Sequence, residues 1–250
     1  MNVVVTGGSG GLGREVMSRL RSRQVRAVAA SRRTGFDLAS GEGVREVLAD
    51  ADVIVHAATN VRFRKVDLDG TRRMIRILQE RSQPPHLIYV SIVGVDRNPF
   101  PYYRAKYACE LVLERSGLPV TVVRATQFHT LLRMIGEVSA RGPVAFVPRD
   151  AAFQSCDHRW VADELTSLAL GDAPLGYRRA SDLAGPERTT FVEVLELARQ
   201  AAGKGPPRLV TLPVVGGALK AFAAGANLPG SEAKVSGIGY RDWLREVAGL

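Results

Sequence analysis

Short, largely apolar runs alternate with longer stretches of helical periodicity along the first half of the chain. The runs are NVVVT, VRAVAAS, DVIVHAA, HLIYVSI and VTVVRAT. Because they are not polar at every second position, they predict strands that are covered on both faces. The stretches between them predict helices that begin near Leu12, Gly43, Lys65 and Tyr102. Repeated strand–helix units predict an α/β fold of the Rossmann type, with a doubly wound parallel sheet and right-handed crossovers.

The pattern loosens after about Gly142. VAFVP, FQSCDHRWVADELTSLAL and YRRASDLAG predict elements that complete the sheet, and FVEVLELARQAA, RLVTLP and RDWLREVAGL predict a further small lobe. The sequence contains no internal repeat or low-complexity linker. We therefore expect one domain over residues 1–250, with a core at about 1–185 and a small C-terminal substrate-binding lobe at about 186–250.

A glycine cluster, TGGSGGLG, joins the first predicted strand to the first predicted helix. In such a loop Gly7 permits a tight turn, Gly10 lets the backbone approach a pyrophosphate, and Gly13 lets the helix pack closely on the strand. The free N–H groups and the dipole of the helix N-terminus favour the negative charge of the pyrophosphate. The cluster predicts a dinucleotide site formed by Thr6, Gly7, Gly10, Gly11, Leu12 and Gly13.

The end of the second predicted strand indicates which dinucleotide is preferred. An NAD site usually has an acidic residue there, about 20 residues beyond the last glycine, to bind the ribose 2′-hydroxyl. This sequence has Ser31, Arg32 and Arg33 instead. Since guanidinium groups can bind a 2′-phosphate with two hydrogen bonds, we predict that NADP(H) is preferred over NAD(H).

Several further segments occur in an order typical of one enzyme family. TGGSGGLG, HAATN, VDLDGTRRMI, YVSIVG, YYRAK, VVRATQF and DLAGPERTTFVEVLELA together resemble the extended and atypical short-chain dehydrogenases/reductases, above all the NmrA-like, NAD(P)-binding branch. The resemblance covers nearly the whole chain. It implies that Asp37 meets the adenine amine with Leu38 beside it, and that Ala57, Ala58 and Thr59 line the cofactor.

Tyr102 and Lys106 form a Y-x-x-x-K pair on one face of a predicted helix. Reduction of a carbonyl needs a proton as well as a hydride, and a nearby ammonium stabilises the phenolate form of a tyrosine. The pair therefore predicts a proton donor, Tyr102, supported by Lys106, which by the family resemblance also holds the nicotinamide ribose. The adjacent Tyr103 is the alternative, since neighbouring residues point about 100° apart on a helix.

The sequence departs from the family at the group that binds the substrate carbonyl. Extended members have a serine or threonine two positions beyond the first serine of the YVSIVG segment, where this chain has Val93. Ser91 supplies the nearest hydroxyl and is the third candidate catalytic residue. The expected substrate pocket comprises Val93, Tyr103, Gln127, Phe128 and His129.

Three functions are consistent with these motifs. The first is an NADPH-dependent reductase acting on a carbonyl or an activated double bond of a small organic substrate. The second is a redox sensor of the NmrA-like kind, which binds NADP(H) without turnover, because Val93 removes a hydroxyl. The third is an epimerase or isomerase that retains its cofactor.

Charge, cysteine content and hydropathy limit the kinds of ligand, partner and location that we expect. The net charge of +9 attracts anions, but no nucleic-acid-binding motif accompanies it, so we expect no nucleic-acid partner. The two cysteines, Cys109 and Cys156, lack metal-ligand spacing, so we expect two buried or half-buried thiols and no metal site. A leader or membrane-spanning run is absent from the sequence, and we expect a cytoplasmic protein. A homodimer formed through a helix pair is compatible with this fold class.

Overall fold

The computed structural model describes residues 1–60, 64–139, 141–148 and 151–248, which form two compact units. The first unit consists of Met1–Ser91, Pro101–Arg124 and His158–Ala180. The second consists of Ile92–Phe100, Ala125–Asp157 and Ser181–Leu250, as far as these ranges are described. Both units are thus built from separate stretches of chain. The expected division into a core and a lobe near residue 185 stays a prediction.

The first unit contains a parallel sheet flanked by helices. Its strands are β1 (Asn2–Thr6), β2 (Arg26–Ala30), β3 (Val53–His56), β4 (His86–Ile92), β5 (Val120–Ala125) and, numbered by its place in the chain, β8 (Tyr177–Arg179). Within this unit the order is β5-β4-β3-β1-β2, and β8 also pairs with β5. The helices are α1 (Gly11–Ser22), α2 (Val44–Leu48), α3 (Gly70–Gln79), α4 (Pro101–Glu114) and α6 (His158–Leu170). The predicted Rossmann-type sheet is confirmed.

The register brings the carboxyl ends of the central strands to one edge. Thr6 pairs with Ala30 on one side and with His56 on the other, and His56 pairs with Tyr89. In an open α/β sheet, ligands bind outside this edge. The residues that follow each strand are therefore the ones to examine for a site.

Apolar burial on both faces explains why these runs form strands. The described residues of β3, and those of β5, are all buried. Strand residues such as Ile54, Leu87 and Val122 pack in one cluster with the apolar stripe of α3, which includes Met74 and Leu78. Fully burying an aliphatic side chain of this size contributes roughly 1.5–3 kcal/mol.

One predicted helix begins differently from the expectation. The stretch near Lys65 forms a π-helical turn, Arg64–Asp69, before α3 starts at Gly70. A π-turn inserts one residue into the helical repeat and is frequent at functional sites. Here it moves Asp67 to a fully buried position.

The second unit has its own small sheets and apolar cluster. It contains α5 (His129–Ser139), β6 (Val144–Pro148), β7 (Ala152–Phe153), β9 (Leu183–Ala184), β10 (Thr189–Thr190), α7 (Phe191–Ala201), β11 (Arg208–Leu212), α8 (Gly217–Ala223), β12 (Lys234–Val235) and α9 (Tyr240–Ala248). Leu132, Phe153, Val194 and Trp243 pack in its interior. Among the described residues, no helix is long and apolar enough to cross a membrane.

Candidate functional site

The glycine loop has the close backbone contacts that its sequence predicts. Gly7 has a φ of +70°, and a Cβ there would lie 2.9 Å from Cα of Ala58. A Cβ on Gly13 would overlap the carbonyl oxygen of Gly7, and one on Gly10 would lie 3.2 Å from the same oxygen. Side chains at Gly7 and Gly13 are therefore excluded by backbone atoms, which cannot move aside as a flexible side chain could, and a side chain at Gly10 would require the Gly7 backbone to shift slightly.

The helix behind the loop starts at the right place for an anion. Gly10 is the N-cap of α1, and the N–H groups of the first turn have no partners within the helix. Together with the narrow backbone contacts, this geometry fits the pyrophosphate of a dinucleotide. Gly10, Gly11, Leu12 and Gly13 would hold it.

The end of β2 lies against the glycine loop. The hydroxyl oxygens of Ser9 and Ser31 are 2.9 Å apart. Arg32 and Arg33 follow in an exposed 3₁₀ turn, which Thr34 stabilises by accepting a hydrogen bond from the backbone of Ser31 at 3.0 Å. Two exposed arginines therefore directly follow Ser31, the residue that contacts the glycine loop.

The predicted adenine residues have different surroundings. Asp37 is half-buried, and its Oδ1 accepts a hydrogen bond from the backbone of Ala39 at 2.8 Å. Leu38 is buried in the apolar core, where Gly70 of α3 leaves room for it: a Cβ on Gly70 would lie 2.8 Å from Cβ of Leu38. Leu38 thus supports α3, and Asp37 keeps a partly exposed carboxylate.

A buried histidine connects the strand ends behind the loop. Nδ1 of His56 lies 2.6 Å from Oγ1 of Thr6, and Nε2 lies 3.0 Å from Oγ1 of Thr71. The backbone N–H of Ala58 donates to the same Thr6 oxygen at 3.3 Å. Desolvation, followed by repulsion from Lys106, lowers the pKa of His56 to about 3. His56 is therefore a neutral structural residue, which agrees with its burial.

Tyr102 and Lys106 are joined by two residues that precede α3. The phenol oxygen of Tyr102 lies 3.0 Å from Oγ1 of Thr59. Thr59 donates to Oδ2 of Asp67 at 3.1 Å, and Oδ1 of Asp67 lies 3.5 Å from Nζ of Lys106. Tyr102 is thus connected to Lys106 through Thr59 and Asp67.

Lys106 is almost completely buried, and three groups surround its ammonium. Nζ donates to the carbonyl oxygen of Val90 at 2.7 Å and lies 4.2 Å above the ring of Tyr89, in addition to its pairing with Asp67. A buried charge needs such partners, because desolvation is costly. Desolvation also raises the pKa of Asp67, while Lys106, Thr59 and the backbone of Asn60 oppose this rise.

Sequence reasoning missed Asp67. A signal was present: Asp67 lies four residues before Thr71 and seven before Met74, on the stripe that α3 buries. A carboxylate on a buried stripe needs a cationic partner.

The structure corrects the expectations for Ser91 and Val93. The Ser91 hydroxyl donates to Glu110, whose carboxylate also accepts two hydrogen bonds from Nε and Nη2 of Arg124, at 2.9 and 2.6 Å. All three side chains are buried, so the Ser91 hydroxyl is engaged in an ion-pair network and is not available to a substrate oxygen. Val93 is fully buried, so its side chain has no surface for a ligand.

Replacing Ser91 with alanine should therefore affect stability and not cofactor binding. Loss of a hydrogen bond to a charged group costs about 1.5–3 kcal/mol. Thermal unfolding measures this loss, with Ser116→Ala as a control, since Ser116 is a buried serine that donates to a neutral carbonyl, that of Leu113. A drop in NADPH affinity at unchanged stability would instead place Ser91 in the site.

The remaining pocket candidates lie in the second unit or close to Tyr102. His129 is buried, with its ring nitrogens 2.8 Å from Oγ of Ser155 and 3.0 Å from the carbonyl oxygen of Ile238. It is a structural residue, so the expectation that it lines the pocket is not supported. Gln127 is also buried, whereas Phe128 is half-buried. Tyr103, next to Tyr102, is buried.

Both cysteines are buried free thiols, as expected. Desolvation raises the pKa of Cys109, and it raises that of Cys156 to about 12. No group of three or more histidine, cysteine, aspartate or glutamate side chains that could hold a metal ion occurs in the described part of the chain.

Comparison with known proteins agrees with this geometry. A family model described as NAD(P)H-binding matches residues 7–131, half of the chain. The chain belongs to this NAD(P)H-binding family, and within it has the motifs of the atypical short-chain dehydrogenases/reductases. No curated protein matches the sequence significantly.

Solved structures share the fold at low sequence identity. dTDP-glucose 4,6-dehydratase from Bacillus anthracis in complex with NAD is 16% identical, with a TM-score of 0.73 over 100% of this chain and 96% of that chain. UDP-glucose 4-epimerase from Thermus thermophilus with NAD is 19% identical, with a TM-score of 0.69 over 98% and 99%. RMD from Pseudomonas aeruginosa, complexed with NADPH, is 16% identical, with a TM-score of 0.60 over 99% and 92%.

Proposed function

We propose that the chain is an NADPH-dependent oxidoreductase that reduces a carbonyl or an activated double bond of a small organic substrate. The supporting observation is that two consecutive residues, Ala58 and Thr59, connect the predicted cofactor loop with the predicted proton donor, Tyr102. The backbone of Ala58 lies so close to Gly7 of the cofactor loop that a Cβ on Gly7 would come within 2.9 Å of it, and the next residue, Thr59, contacts the phenol of Tyr102. The predicted proton donor, Tyr102, therefore contacts a residue that is predicted to line the cofactor.

The residues divide the proposed reaction between them. A bound NADPH would supply the hydride. Tyr102 would donate a proton to the developing alkoxide, which is within the capacity of a phenol placed at hydrogen-bond distance. Lys106, held by Val90 and Asp67, would provide a fixed positive charge one helical turn after Tyr102.

The preference for NADPH is proposed on the basis of Arg32 and Arg33. We expect the double variant Arg32→Ala/Arg33→Ala to bind NADPH about 10- to 100-fold more weakly, because the loss of one charge-assisted hydrogen bond costs about 1.5–3 kcal/mol. NADH affinity should change little, since NADH has no 2′-phosphate. Calorimetric titration of both nucleotides measures the difference.

Arg26→Ala is the matched control for that experiment. Arg26 is an exposed arginine at the start of β2, at the opposite end of the strand from Ser31. It tests whether loss of positive charge alone weakens binding. An equal loss for NADPH and NADH in the double variant would contradict the proposed 2′-phosphate contact.

A redox sensor is the second candidate, and a specific observation favours it. Ser91 is engaged by Glu110 and Val93 is buried, so neither offers a hydroxyl to a substrate. A sensor must prefer one redox form of its ligand strongly. Titration with NADPH, NADP⁺, NADH and NAD⁺ separates the two functions. Similar binding of both phosphorylated forms supports the reductase, whereas binding of one form only supports the sensor.

An epimerase or isomerase that retains its cofactor is the third candidate, and it is supported by the structural relatives, which include UDP-glucose 4-epimerase. Transient oxidation followed by re-reduction consumes no net cofactor. This function predicts that the dinucleotide copurifies with the protein. Absence of nucleotide from the purified, undialysed protein would count against it.

A further inference from the structure

Lys106, the lysine of the Y-x-x-x-K pair, pairs with a buried carboxylate that is connected through Thr59 to Tyr102. Asp67 is fully buried and contacts both Thr59 and Lys106, and Thr59 in turn contacts Tyr102. We propose that Thr59 and Asp67 form a proton relay behind Tyr102, with Lys106 as the counter-charge of the carboxylate. This inference rests on the proposed function, because the relay supplies the proton that Tyr102 donates.

The number of protons on Asp67, Thr59 and Tyr102 fixes the direction of the hydrogen bonds between them. An ionised carboxylate holds no proton, so Thr59 donates its one hydroxyl proton to Asp67 and Tyr102 donates to Thr59. When Asp67 is protonated, it donates to Thr59, and Thr59 donates to the phenol oxygen. Only then does the phenol proton point away from Thr59, toward a substrate. The protonation state of Asp67 thus decides whether Tyr102 is arranged as a base or as an acid.

The protons of the proposed reduction can be followed through Tyr102, Thr59 and Asp67. The O–H bond of Tyr102 breaks as its proton passes to the substrate oxygen, whose carbon is reduced in the same reaction. The Thr59 proton passes to the phenolate, and the Asp67 proton passes to Thr59, which leaves a carboxylate opposite the Lys106 ammonium. Once the product has left, the phenol oxygen of the half-buried Tyr102 takes up a solvent proton, the phenol proton passes to Thr59 and the Thr59 proton passes to Asp67, which restores the starting state.

The groups that surround Asp67 and Lys106 add no further charge to this cluster. His56 faces it from β3, Tyr89 from β4 and Cys109 from α4. Burial lowers the pKa of His56 and raises the pKa values of Tyr89 and Cys109, so all three are neutral near pH 7. Burial also raises the pKa of Asp67, which favours the protonated carboxyl that the relay needs.

The test uses the cofactor-free protein and the ionisation of Tyr102. Ultraviolet absorbance of tyrosinate is followed during a base titration, and the same titration of the matching Tyr102→Phe protein is subtracted, since the chain has six tyrosines. We expect Asp67→Asn to move the Tyr102 midpoint to lower pH by about one unit or more, because Lys106 then acts on the phenolate without its counter-ion.

Two substitutions at Thr59 test the hydroxyl itself. Thr59→Val should move the midpoint to lower pH, because Thr59 donates its one hydroxyl proton to the Asp67 carboxylate in alkaline solution and the variant removes the acceptor of the phenol proton. Thr59→Ser keeps the hydroxyl and should leave the midpoint in place. The Thr59 side chain is exposed, so both variants are expected to fold and the pair decides the question even if Asp67→Asn does not fold.

The outcomes separate the relay from the proposed function. An unchanged midpoint in Thr59→Val overturns the relay, even when Asp67→Asn shifts it, since the coupling then acts through space. Unchanged midpoints in all variants also overturn it. NADPH binding is measured on the same proteins by calorimetry. Failure of the unmodified protein to bind NADPH overturns the proposed function and leaves the titration result intact.

Discussion

Replacing Tyr102 with phenylalanine is expected to abolish turnover and to leave NADPH binding nearly unchanged. General acid catalysis by a positioned side chain contributes about 10²- to 10⁴-fold to a rate, and the phenol is the group placed to provide it. The residues that would hold the pyrophosphate belong to the glycine loop, so the substitution leaves them intact. Single-turnover oxidation of NADPH, followed by nicotinamide absorbance with a panel of carbonyl compounds, measures the rate.

Two further tyrosines on α4 make the experiment specific. Tyr107→Phe removes a half-buried phenol from the same helix and serves as the matched control. Tyr103→Phe tests the alternative proton donor. Retention of full activity by Tyr102→Phe, with loss in Tyr103→Phe, would reverse the assignment of the two residues.

Mild acid is expected to destabilise the protein through its buried histidines. Desolvation, with a further contribution from Lys106, lowers the pKa of His56 to about 3. Desolvation, with a contribution from Arg178, lowers that of His86 to about 4. In the unfolded chain both have a pKa near 6.5. Below that pH the unfolded state binds protons that the folded state does not. The contribution of the two histidines to the free energy of unfolding is therefore fully present above about pH 6.5 and is lost as the pH decreases.

The expected size of this effect is large compared with the total stability. Each fully untitrated histidine contributes a slope of about 1.4 kcal/mol per pH unit between its folded and unfolded pKa values. Domains of ordinary size are stable by only about 5–15 kcal/mol. Urea unfolding at several pH values between 7 and 4, which are chosen to bracket this range, measures the slope.

Substitution of the histidines one at a time assigns the slope. His56→Asn removes the titrating ring that lies between Thr6 and Thr71. The free energy of unfolding should then depend less on pH down to pH 4. His86→Asn should reduce this dependence less at the acid end, because its pKa lies closer to the ordinary value. An unchanged slope in His56→Asn would show that other groups cause the acid sensitivity.

The fold and the cofactor loop were predictable because both depend on local patterns. Apolar runs such as VIVH are buried on both faces and therefore lack alternation. The contacts at Gly7 and Gly13 are made within a few residues of the loop or with the neighbouring strand. Tyr102 and Lys106 are one helical turn apart, so their shared face follows from the spacing alone.

The rest of the site depends on a change of helical register and on contacts distant in sequence. The π-turn at Arg64–Asp69 places Asp67 beside Lys106, 39 positions along the chain, and the apolar pattern does not contain that insertion. Ser91 was misassigned for a related reason. Its partner Glu110 lies on α4, and only the folded structure shows that the hydroxyl is already taken.

The interleaving of the two units has a consequence for synthesis on the ribosome. The sheet of the first unit is closed on one side by β8, which lies at Tyr177–Arg179 and pairs with β5. About seven tenths of the 250 residues must therefore be translated before that strand exists. Until then the outer edge of β5 presents unpaired N–H and C=O groups, which are a template for pairing with another chain. The nascent protein is thus most exposed to aggregation late in translation, after β5 has formed and before β8 emerges.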